Sequence, residues 1–203
     1  MRGKFISFEG IDGCGKTTQI KFLEEYLLKQ GYNILVLREP GGTKVGEKVR
    51  DILLDKNNFI SPVTEMLLYA SSRAQLVEEK ILPALEKGQI VILDRFVDSS
   101  YVYQGYARDL GMEKVKLVNE IATKGLLPDV TIYIDITPEE AMKRRGKREA
   151  DRLEKESYEF HKKVREGYLK LIKGYSERFV FINGMKDSIK VHQEIIDAVE
   201  KYL

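Results

Sequence analysis

Eight consecutive residues, Gly10-Ile11-Asp12-Gly13-Cys14-Gly15-Lys16-Thr17, fit the spacing G-x-x-x-x-G-K-[ST]. Gly10, Gly13 and Gly15 let the backbone come close to an anion. Exposed amides and a helix N-terminus then face the β- and γ-phosphates, Lys16 supplies a point charge, and the Thr17 hydroxyl can ligate Mg²⁺. The pattern carries this meaning only between a strand and a helix. Here the run KFISFE (4–9) alternates in the β manner before it, and Ile20, Phe22, Leu23, Leu27 and Leu28 recur at helical spacing after it. A structural glycine turn is the bland alternative. The flanking elements favour a cradle for ATP or GTP running from Gly10 through Thr18.

Three more groups of residues carry chemistry. Arg38-Glu39-Pro40-Gly41-Gly42-Thr43 follows the apolar run NILVLR, whose last residue is Arg38, and Asp94-Arg95 follows QIVIL. Asp94 ends a hydrophobic run as a Mg²⁺-holding aspartate does, and an N-cap or a salt bridge to Arg95 explains it as well. Arg95 is the less ordinary residue. A hydrolysing ATPase needs a group that activates water, and a guanidinium cannot act as a base. Its planar fork grips phosphate, which points to a second phosphorylated substrate in place of water. The last group is the stretch KRRGKREADR (143–152), with six cations and two acids. A solvated helix face is the default reading of such a run. Because Gly146 breaks the helical pattern and an amphipathic helix resumes at Leu153, the layout suits a mobile lid. It would close Arg145, Arg148 and Arg152 over a triphosphate and stabilise charge in the transition state.

These residues need strands that end together. Five short runs rich in β-branched residues supply them: Lys4 to Glu9, Asn33 to Arg38, Gln89 to Leu93, Val130 to Asp135 and Arg178 to Ile182. Helical patterns fill the intervals at about 16–30, 44–55, 62–87, 97–107, 112–125, 138–146, 153–175 and 187–202. The alternation is the signature of an α/β fold, a five-stranded parallel sheet flanked by helices, in which ligands bind outside the carboxyl ends of the strands. Ser61-Pro62 and Thr137-Pro138 read as caps, the latter with a capping-box Glu140, and Pro83 should kink or interrupt the third helix near its end.

Composition adds limits. A chain of 203 residues, 43% hydrophobic, suits one domain (1–203). The net charge of +2, from 34 basic and 32 acidic residues, gives no broad field for nucleic acid or a membrane. Cys14 is the single cysteine, so no internal disulfide framework exists. No apolar run reaches the ~18 residues of a membrane span, and the expected location is cytoplasmic.

Taken in order, FEGIDGCGKTT, REPGGT, DRF-x-x-SS-x-x-YQG and the arginine-bearing stretch ending in DR resemble the thymidylate kinases, of the bacterial kind whose lid supplies the catalytic arginine. The resemblance runs from Lys4 to the last helix. It implies the nucleoside-monophosphate-kinase version of the P-loop fold in three layers. It also implies transfer of the γ-phosphoryl group of ATP to dTMP with Mg²⁺, giving dTDP for dTTP biosynthesis, and a homodimer formed by packed helices.

Carried over residue by residue, the resemblance gives Asp12 to the sugar 3′-hydroxyl and Gly13 to a position where other members keep a catalytic arginine. Glu39 falls near the acceptor phosphate and Mg²⁺, with Thr17 and Asp94. Arg38 acts nearby or pairs with Glu39, and Arg50 is a phosphate-side candidate or an ordinary surface pair. Tyr69 stacks on thymine or belongs to the core with Met66 and Leu67. Ser72 shares its segment, and Arg73 reads the carbonyl edge of the base. Ser100 and Gln104 complete the base contacts, and Tyr103 sits beneath the sugar and disfavours a ribose.

The acceptor is already anionic, so no strong base is required. His161 and His192 read as solvent-facing or packing residues. Another nucleotide kinase shares the loop and lid, with Arg73 and Gln104 as discriminators. A regulatory GTPase would need an N-K-x-D segment, and a nucleic-acid ATPase a Glu after Asp94. The residues Leu67, Tyr69, Leu76 and Leu82 form a candidate dimer face or lie inside.

Overall fold

The computed structural model describes residues 2–146 and 151–203. Its strands are β1 (Phe5–Glu9), β2 (Ile34–Arg38), β3 (Ile90–Asp94), β4 (Val130–Asp135) and β5 (Phe179–Asn183). They pair in the order β2-β3-β1-β4-β5, all parallel. Each lies within a residue of the run that predicts it. β1 and β4 are buried along their whole length, as continuous apolar strands covered on both faces must be. The register sets Phe8 beside Asp94 and Asp94 beside Arg38, so the ends of three strands come level. From β1 the chain winds to one side for β2 and β3, then to the other for β4 and β5. That reversal opens a crevice at the carboxyl end of β1.

The helices are α1 (Lys16–Lys29), α2 (Lys44–Leu54), α3 (Pro62–Leu76), α4 (Leu82–Glu86), α5 (Val97–Ser100), α6 (Met112–Thr123), α7 (Pro138–Arg145), α8 (Tyr158–Gly174) and α9 (Ser188–Val199). π-helical stretches, Val77–Ile81 and Tyr101–Ala107, join α3 to α4 and extend α5. The predicted caps form: Ser61 Oγ accepts the Thr64 N–H, and Thr137 Oγ1 accepts that of Glu140 at 3.3 Å.

The α-helical bonding is interrupted just before Pro83, as expected: the turn there widens, with the Leu82 N–H bonded to Val77 O, and so accommodates a residue that has no N–H. Two other expectations change. The helix expected from Leu153 begins at Tyr158, where Ser157 Oγ accepts the Phe160 N–H at 3.2 Å. Residues 151–154 close on themselves instead: the Asp151 N–H meets Glu154 Oε2 at 3.1 Å and the Glu154 N–H meets Asp151 Oδ1 at 2.9 Å. Of the four residues offered as a dimer face, only Leu67 points outward; Leu76 is fully buried, and Tyr69 and Leu82 pack partly against the core.

Thr137→Ala removes one cap at the start of α7 and should destabilise the protein by roughly 0.5–2 kcal/mol. For a chain of this size that is a fall of a few degrees in Tm, read by thermal unfolding. An unchanged Tm would mean that α7 does not depend on its cap.

Candidate active site

The loop between β1 and α1 has the geometry of an anion cradle. Gly10, Gly13 and Gly15 all have positive φ (141°, 88° and 102°), a region closed to most side chains. A Cβ on Gly10 would lie 2.6 Å from Ile134 O, and one on Gly13 would lie 2.9 Å from Ala141 O. Ile11 and Cys14 turn inward and are buried, so Cys14 is present as a small packing residue, its thiol pushed up by burial. Lys16 folds back over the loop, its Nζ donating to Gly10 O at 3.0 Å and lying 3.9 Å from Asp12 Oδ1. Thr17 Oγ1 donates to Asp94 Oδ2 at 3.4 Å, whereas Asp94 Oδ1 is buried without a partner. Thr18 and Arg144 line the same open cavity, together with Arg50 and Asp151.

Beside this cradle lies a second cavity, lined by Asp12, Tyr69, Arg73, Arg95, Ser100, Tyr103 and Gln104 among others. Asp12 and Arg95 stand where the two cavities meet. Arg95 Nη2 donates to Asp12 Oδ1 at 2.7 Å, Nη1 donates to Ser99 Oγ at 3.1 Å, and the guanidinium lies 5.3 Å from the centre of the Tyr103 ring. Burial opposes ionisation of Asp12, but Arg95 and Lys16 outweigh it and hold the carboxyl well below its usual range. Arg95 itself has φ 69°, a left-handed conformation unusual for a long side chain. Tyr103 is buried, its hydroxyl unpartnered and its pKa pushed up by burial.

Ser100, Tyr103 and Gln104 line one cavity, and the backbone is π-helical from Tyr101 to Ala107.

Several of the residues expected to touch ligand also make internal contacts, and Arg73, Glu39 and Arg38 line the cavities as well. Arg73 is 1% exposed and gives away all of its N–H groups. Nε and Nη2 bond the carboxylate of Glu39 at 2.5–3.1 Å, Nη2 also reaches Phe96 O at 3.1 Å, and Nη1 bonds Ser100 Oγ at 2.9 Å and Asn119 Oδ1. Buried Arg73 is therefore a paired wall residue, and a base carbonyl would share an N–H already engaged. Glu39, expected at the metal, spends both oxygens on Arg73; burial pushes its carboxyl up to about 7 against the pull of that arginine. Arg38 pairs with Glu47 at 3.0 Å instead of Glu39. Arg50 donates to Pro40 O at 2.8 Å and lines both cavities, which removes the surface-pair reading. Ser72 is fully buried, its hydroxyl accepting the Gly41 N–H at 3.2 Å, and lines neither cavity.

Among the basic residues 143–152, Arg145 flanks the cradle in a recess with Ile11 and Asp12, its Nη1 held by Glu154 O at 2.8 Å. Arg148 lies outside the described residues. Arg152 turns away: Nε donates to Leu53 O at 2.7 Å and Nη2 lies 2.7 Å from Glu65 Oε2. Fully buried Glu65 also accepts from Gln104 Nε2 at 2.8 Å and pairs with Arg108 at 3.2 Å. Two residues were missed. Arg144 donates to Gly184 O at 2.9 Å beside the cradle, and half-buried His161 lines the recess of Arg145 with Nε2 unpartnered. Arg144 stood in the basic run with nothing to distinguish it from its neighbours.

Glu39→Ala leaves the Arg73 guanidinium buried without its anion. It should destabilise the protein by roughly 3–5 kcal/mol, which urea unfolding would measure. A loss under about 1 kcal/mol would mean that Arg73 finds water or another acceptor.

The comparisons agree on one family. The family model described as thymidylate kinase matches residues 8–195. A thymidylate kinase of Thermoanaerobacter sp. (strain X514) is 86% identical over 203 residues, covering all of both chains. That of Clostridium novyi (strain NT) is 46% identical over 198 residues, covering 96% of this chain and 97% of the relative. The crystal structure of thymidylate kinase from Ehrlichia chaffeensis superposes with a TM-score of 0.80 at 33% identity, covering 98% of this chain and 99% of the other.

Proposed function

The chain belongs to the thymidylate kinase family, from which we infer that it transfers the γ-phosphoryl group of ATP to dTMP, giving dTDP and ADP. The observation that carries the assignment to this site is the pair of cavities meeting at Asp12 and Arg95. One takes the triphosphate on the glycine loop. The other takes the monophosphate nucleotide, with Arg95 and Arg50 toward its phosphate, Asp12 toward the sugar, Tyr103 beneath it, and Tyr69, Ser100 and Gln104 around the base. Transfer is in line between two phosphates that the protein holds adjacent, so positioning and charge stabilisation supply the catalysis.

Lys16 neutralises the donor phosphates. Arg95 orients the acceptor oxygen for attack. Arg145 is the lid arginine best placed for charge that develops on the transferred group, because it flanks Asp12. Arg144, bonded to the Asn183-Gly184 turn, lies on the side of the donor nucleotide. The span 143–152 acts as the lid of a single kinase domain. Arg152 anchors the return of that lid to Glu65 and Leu53.

Thr17 and Asp94 fit Mg²⁺: both offer hard oxygen, and Asp94 Oδ1 has no protein partner. Among the described residues no cluster of three or more metal-ligating side chains occurs, which suits an ion held by one carboxylate, a hydroxyl, waters and substrate phosphates. When bound, Mg²⁺ neutralises phosphate charge. A homodimer through outward-facing Ile52, Val63, Leu67, Leu117 and Ile121 accords with their exposure on α2, α3 and α6. Free nucleotide substrates place the reaction in the cytoplasm, with no nucleic-acid partner. No described helix is long and apolar enough to cross a membrane.

Turnover with the monophosphates of thymidine, deoxyuridine, uridine, deoxyguanosine and adenosine should show a clear preference for thymidylate, and a purine preference would end this reading. Lys16→Ala should abolish transfer without changing Tm; near-normal activity would remove the cradle role.

Arg145→Ala should cost on the order of 10³–10⁵ in kcat, whereas Arg152→Ala should mainly lower Tm. If Arg152→Ala alone removes the chemistry, the two roles are reversed.

A further inference from the structure

Glu9, the last residue of β1, is fully buried and lines neither cavity, yet three donors converge on its carboxylate. Oε1 accepts the Phe96 N–H at 2.8 Å. Oε2 accepts the Ser99 hydroxyl at 2.6 Å and the Tyr168 hydroxyl at 2.7 Å. Two of these contacts bear directly on Arg95. Phe96 follows Arg95 in the chain, and its amide is the first donor after the left-handed turn. Having left the sheet ladder, that amide would be a buried orphan without Glu9. Ser99 Oγ, while donating to Glu9, accepts Arg95 Nη1 at 3.1 Å. One carboxylate thus fixes both the backbone turn that aims Arg95 and the hydroxyl that holds one arm of its guanidinium.

We propose that Glu9 is the positioning residue for Arg95, and that through Tyr168 it ties this arginine to α8, the helix that follows the lid. Glu9 touches no substrate. Its effect is carried by the Phe96 amide and by Ser99, whose single hydroxyl hydrogen goes to Glu9 and leaves a lone pair for Arg95. In Glu9→Gln the amide oxygen can still accept from Phe96, but the NH₂ group then donates toward Ser99 and Tyr168. Ser99 Oγ then accepts from residue 9 and its own hydrogen is released, so the oxygen that receives Arg95 Nη1 is no longer oriented by donating to Glu9. The side chain keeps its size while the acceptor of the guanidinium loses its fixed orientation. Misplacement of a reacting group by about 1 Å can cost on the order of 10²-fold in rate.

The proposal rests on Arg95 facing the acceptor phosphate, so the experiment includes Arg95→Lys beside Glu9→Gln, Ser99→Ala and the double variant. Steady-state kinetics with dTMP and ATP varied separately are the readout. Glu9→Gln should lower kcat/KM for dTMP by on the order of 10- to 100-fold and leave the KM for ATP unchanged. Ser99→Ala should move the same constant in the same direction, and the double variant should lose no more than Glu9→Gln, because Ser99 acts only as Glu9 orients it. A wild-type kcat/KM for dTMP in Glu9→Gln, a comparable rise in the KM for ATP, or additive losses in the double variant would each overturn the proposal. If Glu9→Gln does not fold, Ser99→Ala decides: a dTMP-selective loss supports the proposal and wild-type kinetics overturn it. Arg95→Lys separates the two failures. If it leaves dTMP kinetics intact, the reading of Arg95 falls and this proposal with it; if it impairs them while Glu9→Gln does not, only the positioning role falls.

Discussion

The ion pair between Asp12 and Arg95, 2.7 Å long, is the joint on which both halves of the site depend. Asp12 belongs to the loop after β1 and Arg95 to the turn after β3, and these strands are neighbours in register. The sheet therefore sets two cavities side by side, the ones proposed above for the two phosphorylated ligands. Two unit negative charges about 4 Å apart repel by roughly 4 kcal/mol at an effective dielectric constant near 20. A site that brings two nucleotide phosphates together must answer that repulsion with fixed cations. Lys16, Arg50, Arg95 and Arg145 surround the junction. The left-handed backbone of Arg95 costs on the order of 1–3 kcal/mol, a strain the neighbouring contacts must hold.

Behind the ligand-facing residues stand buried ion pairs that shape the acceptor cavity. Glu39 with Arg73 joins the loop after β2 to α3, and Asn119 brings in α6. Glu65, on the same helix as Arg73, gathers Gln104, Arg108 and Arg152 from the π-helical stretch, its end and the lid return. Such pairs are weak contributors to net stability, since desolvation consumes most of the Coulomb gain, but breaking one leaves an uncompensated charge. Their role here is geometric. The carboxylates fix the distances between walls that different helices supply.

How much of this was legible in the sequence depended on how far each group acts from its own backbone. The glycine loop, the strands and the caps were readable because their chemistry is local: a turn, an alternation, a hydroxyl three residues before an amide. The residues offered for the acceptor come together in one cavity, but their contacts were not legible. An arginine reaches several ångströms, so Arg38, Arg73 and Arg152 could be placed near the site while Glu47, Glu39 and Glu65 claimed them. The π-helical stretch that carries Tyr103 and Gln104 was not legible, since nothing in local propensity marks such a turn. The recess beside His161 was not legible for a related reason: its helix runs back past the glycine loop, a long-range packing fact that no window of sequence contains.

The position of Gly13 shows how one contact can settle two questions. α7 comes so close to the loop that a Cβ at residue 13 would lie 2.9 Å from Ala141 O, and the φ of 88° is unfavourable to any side chain. An arginine at position 13 would strain this backbone and require α7 to shift. The same approach has a second consequence. Residues four apart on a helix lie on one face, so the side of α7 that touches the loop at Ala141 presents Arg145 one turn later, in the recess beside Asp12. The packing that disfavours a cation from within the loop is the packing that brings one to it from the next helix.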